Sequence, residues 1–218
     1  MLKNMTRQFV QGGKEVLYKS IVIGVLSLLM LSGCENGSGA NKPQGDTQDK
    51  DSRILVAYFS RADENYSVGV IEKGNTEIIA EMIREEKDAD LLKIERVEPY
   101  PAICRDCTRE AESEKNSNAR PRLKNTLESL NDYDVIYLGM PVWHSDMPMP
   151  VYTFIEGLDW NGKTVYPFVT HEGSGLASIP QTLRSILKGA TVNDGLAIRG
   201  QDAQNNRDSA KKALLEWL

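Results

Sequence analysis

Short apolar runs alternate with amphipathic stretches along the chain from Arg53 onward. The run from Ile54 to Phe59 is continuous and of strand length, which is typical of a strand covered on both faces. Four further runs predict strands, and apolar residues at helical spacing predict helices between them. The predicted strands are 54–59, 90–95, 133–139, 164–170 and 192–198, and the predicted helices start at 76 or cover 108–118, 148–157, 179–187 and 210–218.

This alternation predicts the fold class. Strand followed by helix five times indicates an α/β protein with a parallel sheet and helices on both faces. Right-handed crossovers restrict such a five-stranded sheet to a doubly wound order. Pro167 is unusual inside a strand, because proline cannot donate a ladder hydrogen bond and prefers strand edges. Its neighbours still favour a strand, and residues 53–218 are expected to form one domain.

Residues 1–33 have the character of a secretory signal peptide. They carry four basic side chains and one acidic side chain, followed by the apolar run Ile21 to Leu31. This run is short for a membrane-spanning helix, which needs ~20 residues, and the arrangement is typical of a signal peptide. The end of the segment, Leu31-Ser-Gly-Cys34, resembles a bacterial lipobox. The resemblance implies cleavage before Cys34 and lipidation of that cysteine, whereas the alternative is a plain signal peptide with an incidental cysteine.

The residues after the signal predict a tether and an acidic mature protein. Residues 34–52 are polar and typical of a flexible tether. The whole chain has 26 basic and 31 acidic side chains, so removal of residues 1–33 leaves 22 against 30, a net charge of −8. Such a charge argues against nucleic acid or anionic lipid as a main partner. We therefore expect an exported lipoprotein at the periplasmic or extracellular face of a membrane, held there by its lipid.

The loop after the first strand has features of a phosphate site. Ligands of such sheets bind beyond the carboxyl ends of the strands, where strand order reverses. Ser60 follows the first strand, and Gly74-Asn75-Thr76 precedes a predicted helix. Free N–H groups and the helix dipole favour an anion at that point. An ordinary capped helix after a long loop is the alternative interpretation.

Two further loops offer contacts to a flat ligand. Trp143 lies in a polar, proline-containing loop, where an indole ring can stack on such a ligand. The alternative makes Trp143 a lid over the sheet end and His144 a surface residue. The loop from Thr170 to Gly175 contains two glycines that let the backbone approach a ligand closely, or it forms a plain turn.

From Arg53 to Leu218 the chain resembles the flavodoxin-like family. The resemblance is carried by Tyr58-Phe-Ser60, Gly74-Asn-Thr76, Gly139-Met-Pro-Val-Trp143, Asp146-Met-Pro148 and Thr170-His-Glu-Gly-Ser-Gly175. It implies strand order 2-1-3-4-5 and one bound FMN, with the phosphate at the first loop and the isoalloxazine ring between the other two. The implied cofactor-binding residues are Ser60, Arg61, Asn75, Thr76, Pro141, Val142, Trp143, His144, His171, Glu172, Gly173, Ser174 and Gly175.

The chain departs from the family pattern at two places. Residues 62–73 are inserted between Ser60 and Gly74, so the contacts of Arg61 depend on how this insertion folds. His144-Ser145 stands where relatives often have Trp-Gly, which predicts weaker stacking on that side of the ring. Cys104 and Cys107 are not part of the family pattern. They are open to three interpretations: a dithiol that exchanges electrons with the flavin, a structural disulfide, or an inert pair.

The resulting functional hypothesis is an FMN-dependent electron carrier or oxidoreductase with a protein or small-molecule redox partner. Asp146 and Glu172 near the ring predict a low potential for the last electron. A second hypothesis is a lipid-anchored ligand- or partner-binding module without flavin turnover. A quinone reductase using NAD(P)H lacks a dinucleotide fingerprint. A hydrolase using Ser174, His171 and Asp146 lacks the nucleophile elbow, and neither histidine lies in a cluster spaced for a metal.

Overall fold

The computed structural model describes residues 53–218. The predicted signal peptide, the tether and Cys34 lie outside the described residues. The strands are β1 (Ile54–Tyr58), β2 (Asp63–Asn65), β3 (Gly69–Ile71), β4 (Asp90–Lys93), β5 (Val135–Pro141), β6 (Thr164–His171), β7 (Thr191–Val192) and β8 (Leu196–Arg199). The helices are α1 (Asn75–Lys87), α2 (Cys104–Asn116), α3 (Met149–Glu156), α4 (Ile179–Ile186), α5 (Gly200–Asn205) and α6 (Arg207–Trp217).

The central sheet has the strand order β4-β1-β5-β6, with β7 and β8 both paired to the free side of β6. Every neighbouring pair in this sheet is parallel. Because β7 and β8 are the two halves of one fifth strand, the order is the predicted 2-1-3-4-5. The doubly wound α/β fold is confirmed. The strand order reverses between β1 and β5, so the loops that follow these strands diverge and leave a crevice.

The fifth strand is interrupted opposite Pro167, which explains how a proline fits inside the sheet. Val165 accepts a hydrogen bond from the N–H of Asn193, and Pro167, two residues further on, faces the same side of β6. At that point neither β7 nor β8 offers a ladder partner, because their pairings stop at Val165 and resume at Phe168. The continuous strand predicted over 192–198 is therefore two short segments.

Two apolar clusters cover the two faces of the sheet, as the alternating pattern predicted. On one face, Ile79 and Ile83 of α1 pack with Leu214 of α6 against the sheet. On the other face, Val151 of α3 and Leu183 of α4 do the same. All five side chains are almost fully inaccessible. None of the helices within residues 53–218 has the length and apolar character needed to cross a bilayer.

The sequence did not predict two elements at the carboxyl end of the sheet. The insertion over 62–73 contains an antiparallel hairpin, β2–β3, of three residues in each strand. The short helix α5 follows β8 directly and precedes α6. Both are too short to show the periodicity by which longer elements are recognised.

Candidate functional site

An open cleft of about 290 Å³ lies beyond the carboxyl ends of β1, β5 and β6. The three loops singled out in the sequence meet there, together with the first turns of α2 and the insertion. This volume is at the lower end of the range of small-molecule sites. The cleft is lined by Arg61, Asn65, Tyr66, Asn75, Cys104, Cys107, Thr108, Ala111, Pro141, Val142, Trp143, His144, Thr170, His171 and Glu172.

The amino end of α1 borders the cleft and leaves N–H groups free. Its N-cap is Gly74, which has no capping side chain, and Ser60 Oγ instead accepts a hydrogen bond from the N–H of Glu77 at 3.1 Å. A Cβ at Gly74 would lie 2.2 Å from Ser60 Oγ, so only glycine permits this approach. The N–H groups of Asn75 and Thr76 have no intrahelical acceptor. Together with the helix dipole they form a site suited to an anion.

Two predicted phosphate contacts lie behind the cleft and do not line it. Thr76 is 1% exposed, and its Oγ1 is 2.7 Å from Oγ1 of Thr170, with either hydroxyl able to donate. The hydroxyl of Thr76 is therefore paired with Thr170 and does not line the cleft. Ser60 is also buried, but its hydroxyl hydrogen remains available for donation, because the oxygen acts as acceptor toward Glu77.

Arg61 lines the cleft, but its guanidinium forms hydrogen bonds to backbone carbonyls of the insertion and of the loop before α2. Nη1 donates to the carbonyl of Glu64 at 2.6 Å, and Nη2 donates to the carbonyls of Pro101 and Ala102 at 2.7 and 2.5 Å. These bonds join the insertion to the loop before α2. In this arrangement Arg61 supports the wall of the cleft and contributes a positive charge. Its Nε is buried and has no hydrogen-bond partner among residues 53–218.

Pro141, Val142 and Trp143, which the resemblance places beside the flavin ring, form one wall of the cleft. The Trp143 indole is held edge-on by two other rings, with centroids 5.3 Å from Phe59 and 5.0 Å from Tyr100. Edge-to-face pairs of this kind add ~0.5–1.5 kcal/mol beyond the buried area. Trp143 is thus fixed from behind and still borders the open cleft, so it serves both as a lid on the sheet end and as a possible stacking surface.

His144 and Ser145 are the central residues of a tight turn. The backbone of Trp143 and Asp146 exchanges two hydrogen bonds of 3.0 and 2.9 Å across it. His144 and Ser145 both have positive φ, 49° and 61°, as a type I′ turn requires. Lys115 donates to the carbonyl of His144 at 2.6 Å, which fixes the turn to α2. His144 also borders the cleft.

His171 organises the third loop. Its Nδ1 accepts hydrogen bonds from the N–H groups of Gly173 and Gly175 at 2.9 and 3.1 Å, so in the neutral ring Nε2 carries the hydrogen. Burial, reinforced by nearby Arg199, lowers the pKa of His171. Gly173, Ser174 and Gly175 fold around this imidazole and do not line the cleft. The structure brings only the first two residues of the predicted loop contact, His171 and Glu172, to it.

Glu172 places a carboxyl group beside the amino end of α1. Its Oε1 is buried and has no hydrogen-bond partner among residues 53–218. A Cβ at Gly200 would lie 2.4 Å from this oxygen and 2.1 Å from Nδ2 of Asn75, so both side chains crowd the same backbone point. Burial raises the pKa of Glu172, and the backbone N–H of Gln201 opposes the shift.

Asn75 is oriented by the unpredicted helix α5. Nε2 of Gln204 donates to Oδ1 of Asn75 at 2.8 Å and to the carbonyl of Lys73, also at 2.8 Å. The amide nitrogen of Asn75 lies against the Gly200 backbone, on the same side as Oε1 of Glu172. α5 thus fixes the first residue of α1, a role that no motif in its sequence indicates.

Cys104 and Cys107 lie in the first turn of α2 and border the cleft, but the disulfide considered in the sequence is not formed. Both thiols are free. Residues three apart on a helix have Cβ atoms about 5–6 Å apart, whereas a disulfide needs about 3.5–4.5 Å. Burial raises the pKa of Cys107 to about 11, and nearby Arg61 offsets only part of this shift.

Asp146 does not line the cleft, contrary to the expectation that it surrounds the ring. One of its oxygens accepts hydrogen bonds from Tyr152 Oη at 2.8 Å and from the N–H of Met147 at 2.7 Å, and Lys115 lies 3.7 Å from the other. Glu172 is therefore the one of the two acids that faces the cleft. Neither Asp146 nor Ser174 contacts His171 through a hydrogen bond, so a hydrolytic triad is not assembled.

Several cleft residues were missed in the sequence. Thr170 is the next-to-last residue of β6, within a quoted motif, and could have been selected from its position near a strand end. Thr108 and Ala111 lie four residues after Cys104 and Cys107 respectively and share their face of α2. Asn65 and Tyr66 belong to the insertion, and no sequence pattern predicted that the insertion folds toward the cleft. Gly200, which lies behind Asn75 and Glu172, was missed because a glycine after a strand is compatible with many kinds of turn.

Comparisons with known proteins agree with this architecture. A family model described as flavodoxin matches residues 53–217. Among curated protein sequences, none matches the chain. A crystal structure of a flavoprotein candidate from Bacteroides uniformis is 29% identical, with a TM-score of 0.58, and the match covers 73% of this chain and 98% of that one. A second, from Bacteroides eggerthii, is 28% identical over the same shares with a TM-score of 0.57.

A third solved structure is a flavoprotein from Lactobacillus acidophilus in complex with FMN. It is 23% identical, with a TM-score of 0.53, and the match covers 71% of this chain and 97% of that one. At this identity the likeness concerns the fold. The matches cover 97% or 98% of each of these three chains. The described domain therefore corresponds to almost the whole of each chain.

Proposed function

Because the chain belongs to the flavodoxin family, we propose that it binds one FMN in the cleft and acts as an electron carrier or oxidoreductase. Bound FMN would supply one- and two-electron redox chemistry. The observation that carries the proposal is the cleft itself, which joins an uncapped helix terminus to an indole wall. An anion site and an aromatic surface within one cleft match the two ends of a phosphorylated flavin.

The phosphate end would be held mainly by backbone groups. The N–H groups of Asn75 and Thr76 are free for an anion, and Ser60 retains a hydroxyl hydrogen beside them. The close approach at Gly74 keeps this terminus open, since a side chain there would displace Ser60. No lysine or arginine clamp is needed, because the helix amino end contributes about half a positive charge.

The ring end would lie between Trp143 and His171. Trp143 is fixed by Phe59 and Tyr100 behind it, so little conformational entropy is lost when a ring stacks on it. His171 is held by two backbone N–H groups, and its Nε2 hydrogen is the donor it can offer. The two loops would cover the ring from opposite sides of the cleft. A flavoprotein of the same fold, from Lactobacillus acidophilus, was solved in complex with FMN, which supports FMN as the ligand.

We also propose that the protein acts at the outer face of a bacterial membrane as a lipoprotein. The support comes from residues 1–34, in which a basic segment and an apolar run precede Leu-Ser-Gly-Cys34. Several acyl chains contribute ~0.8 kcal/mol per buried methylene, which is sufficient for a stable anchor. At that face the redox partner would be another exported protein or a small-molecule acceptor.

The experiment that tests FMN binding is a titration of the purified full-length chain in detergent, stripped of bound ligand, with FMN and separately with riboflavin. We expect one FMN per chain, quenched flavin fluorescence and at least ~10-fold weaker riboflavin binding, since ~10-fold corresponds to ~1.4 kcal/mol from the phosphate. Gly74→Ala should reduce FMN binding to the level of riboflavin. A chain that takes up neither compound would contradict the proposal and leave a ligand- or partner-binding module on a flavodoxin scaffold.

A further inference from the structure

Two thiols border the same cleft as the proposed flavin walls. Cys104 and Cys107 are the only cysteines among residues 53–218, and both line the cleft together with Trp143 and His171. Their helix is fixed at this place by the insertion, because the N–H of Cys104 donates to Oε2 of Glu64 at 2.8 Å. The pair is therefore built into the site and is not scattered on the surface.

The two thiols differ in accessibility. Cys104 is half-buried, whereas Cys107 is 4% exposed. Burial raises the pKa of Cys107 to about 11, so this residue remains protonated at neutral pH. Nearby Arg61 favours the thiolate of Cys107 when its proton is removed. In thiol–disulfide exchange one accessible sulfur attacks a substrate and a second, shielded sulfur resolves the mixed disulfide. The positions of Cys104 and Cys107 fit these two tasks.

We propose that Cys104 and Cys107 form a reversible dithiol–disulfide pair that transfers two electrons between FMN in the cleft and an external disulfide. The inference rests on the proposed FMN binding. In the inner step the Cys104–Cys107 S–S bond breaks, each sulfur gains one electron and one proton, and reduced FMN loses two electrons and two protons. Oxidised FMN and two thiols result, so atoms and electrons balance.

The outer step restores the disulfide. The thiolate of Cys104 attacks one sulfur of the substrate disulfide and forms a mixed disulfide, while the other substrate sulfur leaves as a thiolate and takes a proton. Cys107 then loses its proton to solvent, attacks Sγ of Cys104 and displaces the second substrate thiol. Formation of the Cys104–Cys107 disulfide requires the two Cβ atoms to approach by about 1–2 Å from ordinary helical spacing. The first turn of a helix can move at low cost, because its N–H groups make no intrahelical hydrogen bonds.

The first test reads the pair without FMN. Full-length protein in detergent is equilibrated in buffers of reduced and oxidised glutathione, then acid-quenched, alkylated and mapped by mass spectrometry. We expect the peptide containing both cysteines to lose two hydrogens in oxidising buffer and to regain them with dithiothreitol. Because this readout uses the wild-type chain, it does not depend on the folding of a variant. Thiols that stay reduced, or a disulfide that dithiothreitol cannot open, would overturn the inference.

The second test counts electrons in the FMN-loaded protein. After oxidation of the pair, anaerobic dithionite titration should consume about four electrons per FMN, two for the flavin and two for the disulfide. The double variant Cys104→Ser/Cys107→Ser should consume about two, and Ser113→Ala on the exposed face of α2 should still consume about four. A wild-type value of two with a mapped disulfide would also overturn the inference. Failure of FMN binding itself would appear in the flavin titration, with the glutathione result unaffected.

Discussion

At the scale of single residues, Glu172 is the side chain whose charge should affect the ligand most. Its unpartnered Oε1 lies beside the Gly200 backbone, next to the amide of Asn75 at the start of α1. An ionised carboxylate there would repel a phosphate held by the helix terminus. Since burial raises the pKa of Glu172, the neutral form persists above the ordinary carboxyl range.

We therefore predict that FMN affinity falls as pH rises through the raised pKa of Glu172. Glu172→Gln should bind FMN more tightly than wild type at neutral pH, by about fivefold if the repulsion is about 1 kcal/mol. The variant should keep only the pH dependence that comes from the phosphate group and from His171, whose pKa is lowered by burial. Isothermal titration calorimetry measures the FMN dissociation constants of wild type and variant between pH 5 and 8. Glu216→Gln, an exposed position with the same change in charge, is the control. Coincident pH curves for wild type and Glu172→Gln would show that this carboxyl does not face the phosphate.

Trp143 should contribute binding energy through its ring. Trp143→Ala removes the stacking surface, and we expect a loss of at least 0.5–1.5 kcal/mol, roughly 2- to 12-fold in the FMN dissociation constant. Trp143→Phe keeps a ring against Phe59 and Tyr100 and should lose less. Melting temperatures of both variants separate a folding defect from a binding defect. Wild-type affinity in a folded Trp143→Ala protein would remove the indole from the site.

At the scale of elements, β5 and β6 depend on a glycine that has no polar role. A Cβ at Gly139 would lie 2.0 Å from Cζ of Phe168, whose ring is fully buried. Gly139→Ala should therefore cost about 1–3 kcal/mol in the free energy of unfolding, as overpacked cores do. Gly157→Ala is the matched control, because its nearest neighbours are 3.7 Å away. Urea unfolding of the two variants compares them directly, and equal midpoints would show that Phe168 has room to move.

The insertion, residues 62–73, should unfold locally without the rest of the domain, and Arg61 should oppose this local unfolding. Arg61 joins it to the backbone before α2, while its Tyr66 and Val70 are 74% and 82% exposed. We predict that Arg61→Met speeds hydrogen exchange of the amides in residues 62–73 with little change in those of β5. Arg184→Met, which breaks an exposed contact to Asp194, is the control. Uniformly faster exchange across the domain would show that Arg61 supports the whole fold.

The comparison between sequence and structure also differs by element. α1, α3 and the central strands were predicted because each carries enough apolar residues to show a period. The split fifth strand was not, since it results from a contact with Pro167 that lies outside its own sequence. The hairpin β2–β3 and α5 are too short for a period. The sequence predicted which loops form the site. It could not predict that the Thr76 hydroxyl pairs with Thr170, or that the Arg61 guanidinium binds backbone carbonyls, because these partners are distant in sequence.

At the scale of the whole molecule, the anchor and the redox domain are separate claims. If Cys34 is lipidated, Cys34→Ser should move the protein from the membrane pellet to the soluble fraction, because the acyl chains supply the binding energy. FMN binding by the described domain should be unchanged. Fractionation of cells followed by immunoblotting measures this, with Cys104→Ser as a cysteine control. Membrane association that persists in Cys34→Ser would refute the lipoprotein proposal without affecting the flavin proposal.

The central claim is that a helix terminus and an indole in one cleft hold a phosphorylated flavin. A crystal structure of the protein with FMN tests it most directly. We predict that the phosphate accepts hydrogen bonds from the N–H groups of Asn75 and Thr76, and that the ring lies against Trp143 with His171 on the opposite side. FMN bound elsewhere, or a phosphate turned away from α1, would contradict the account.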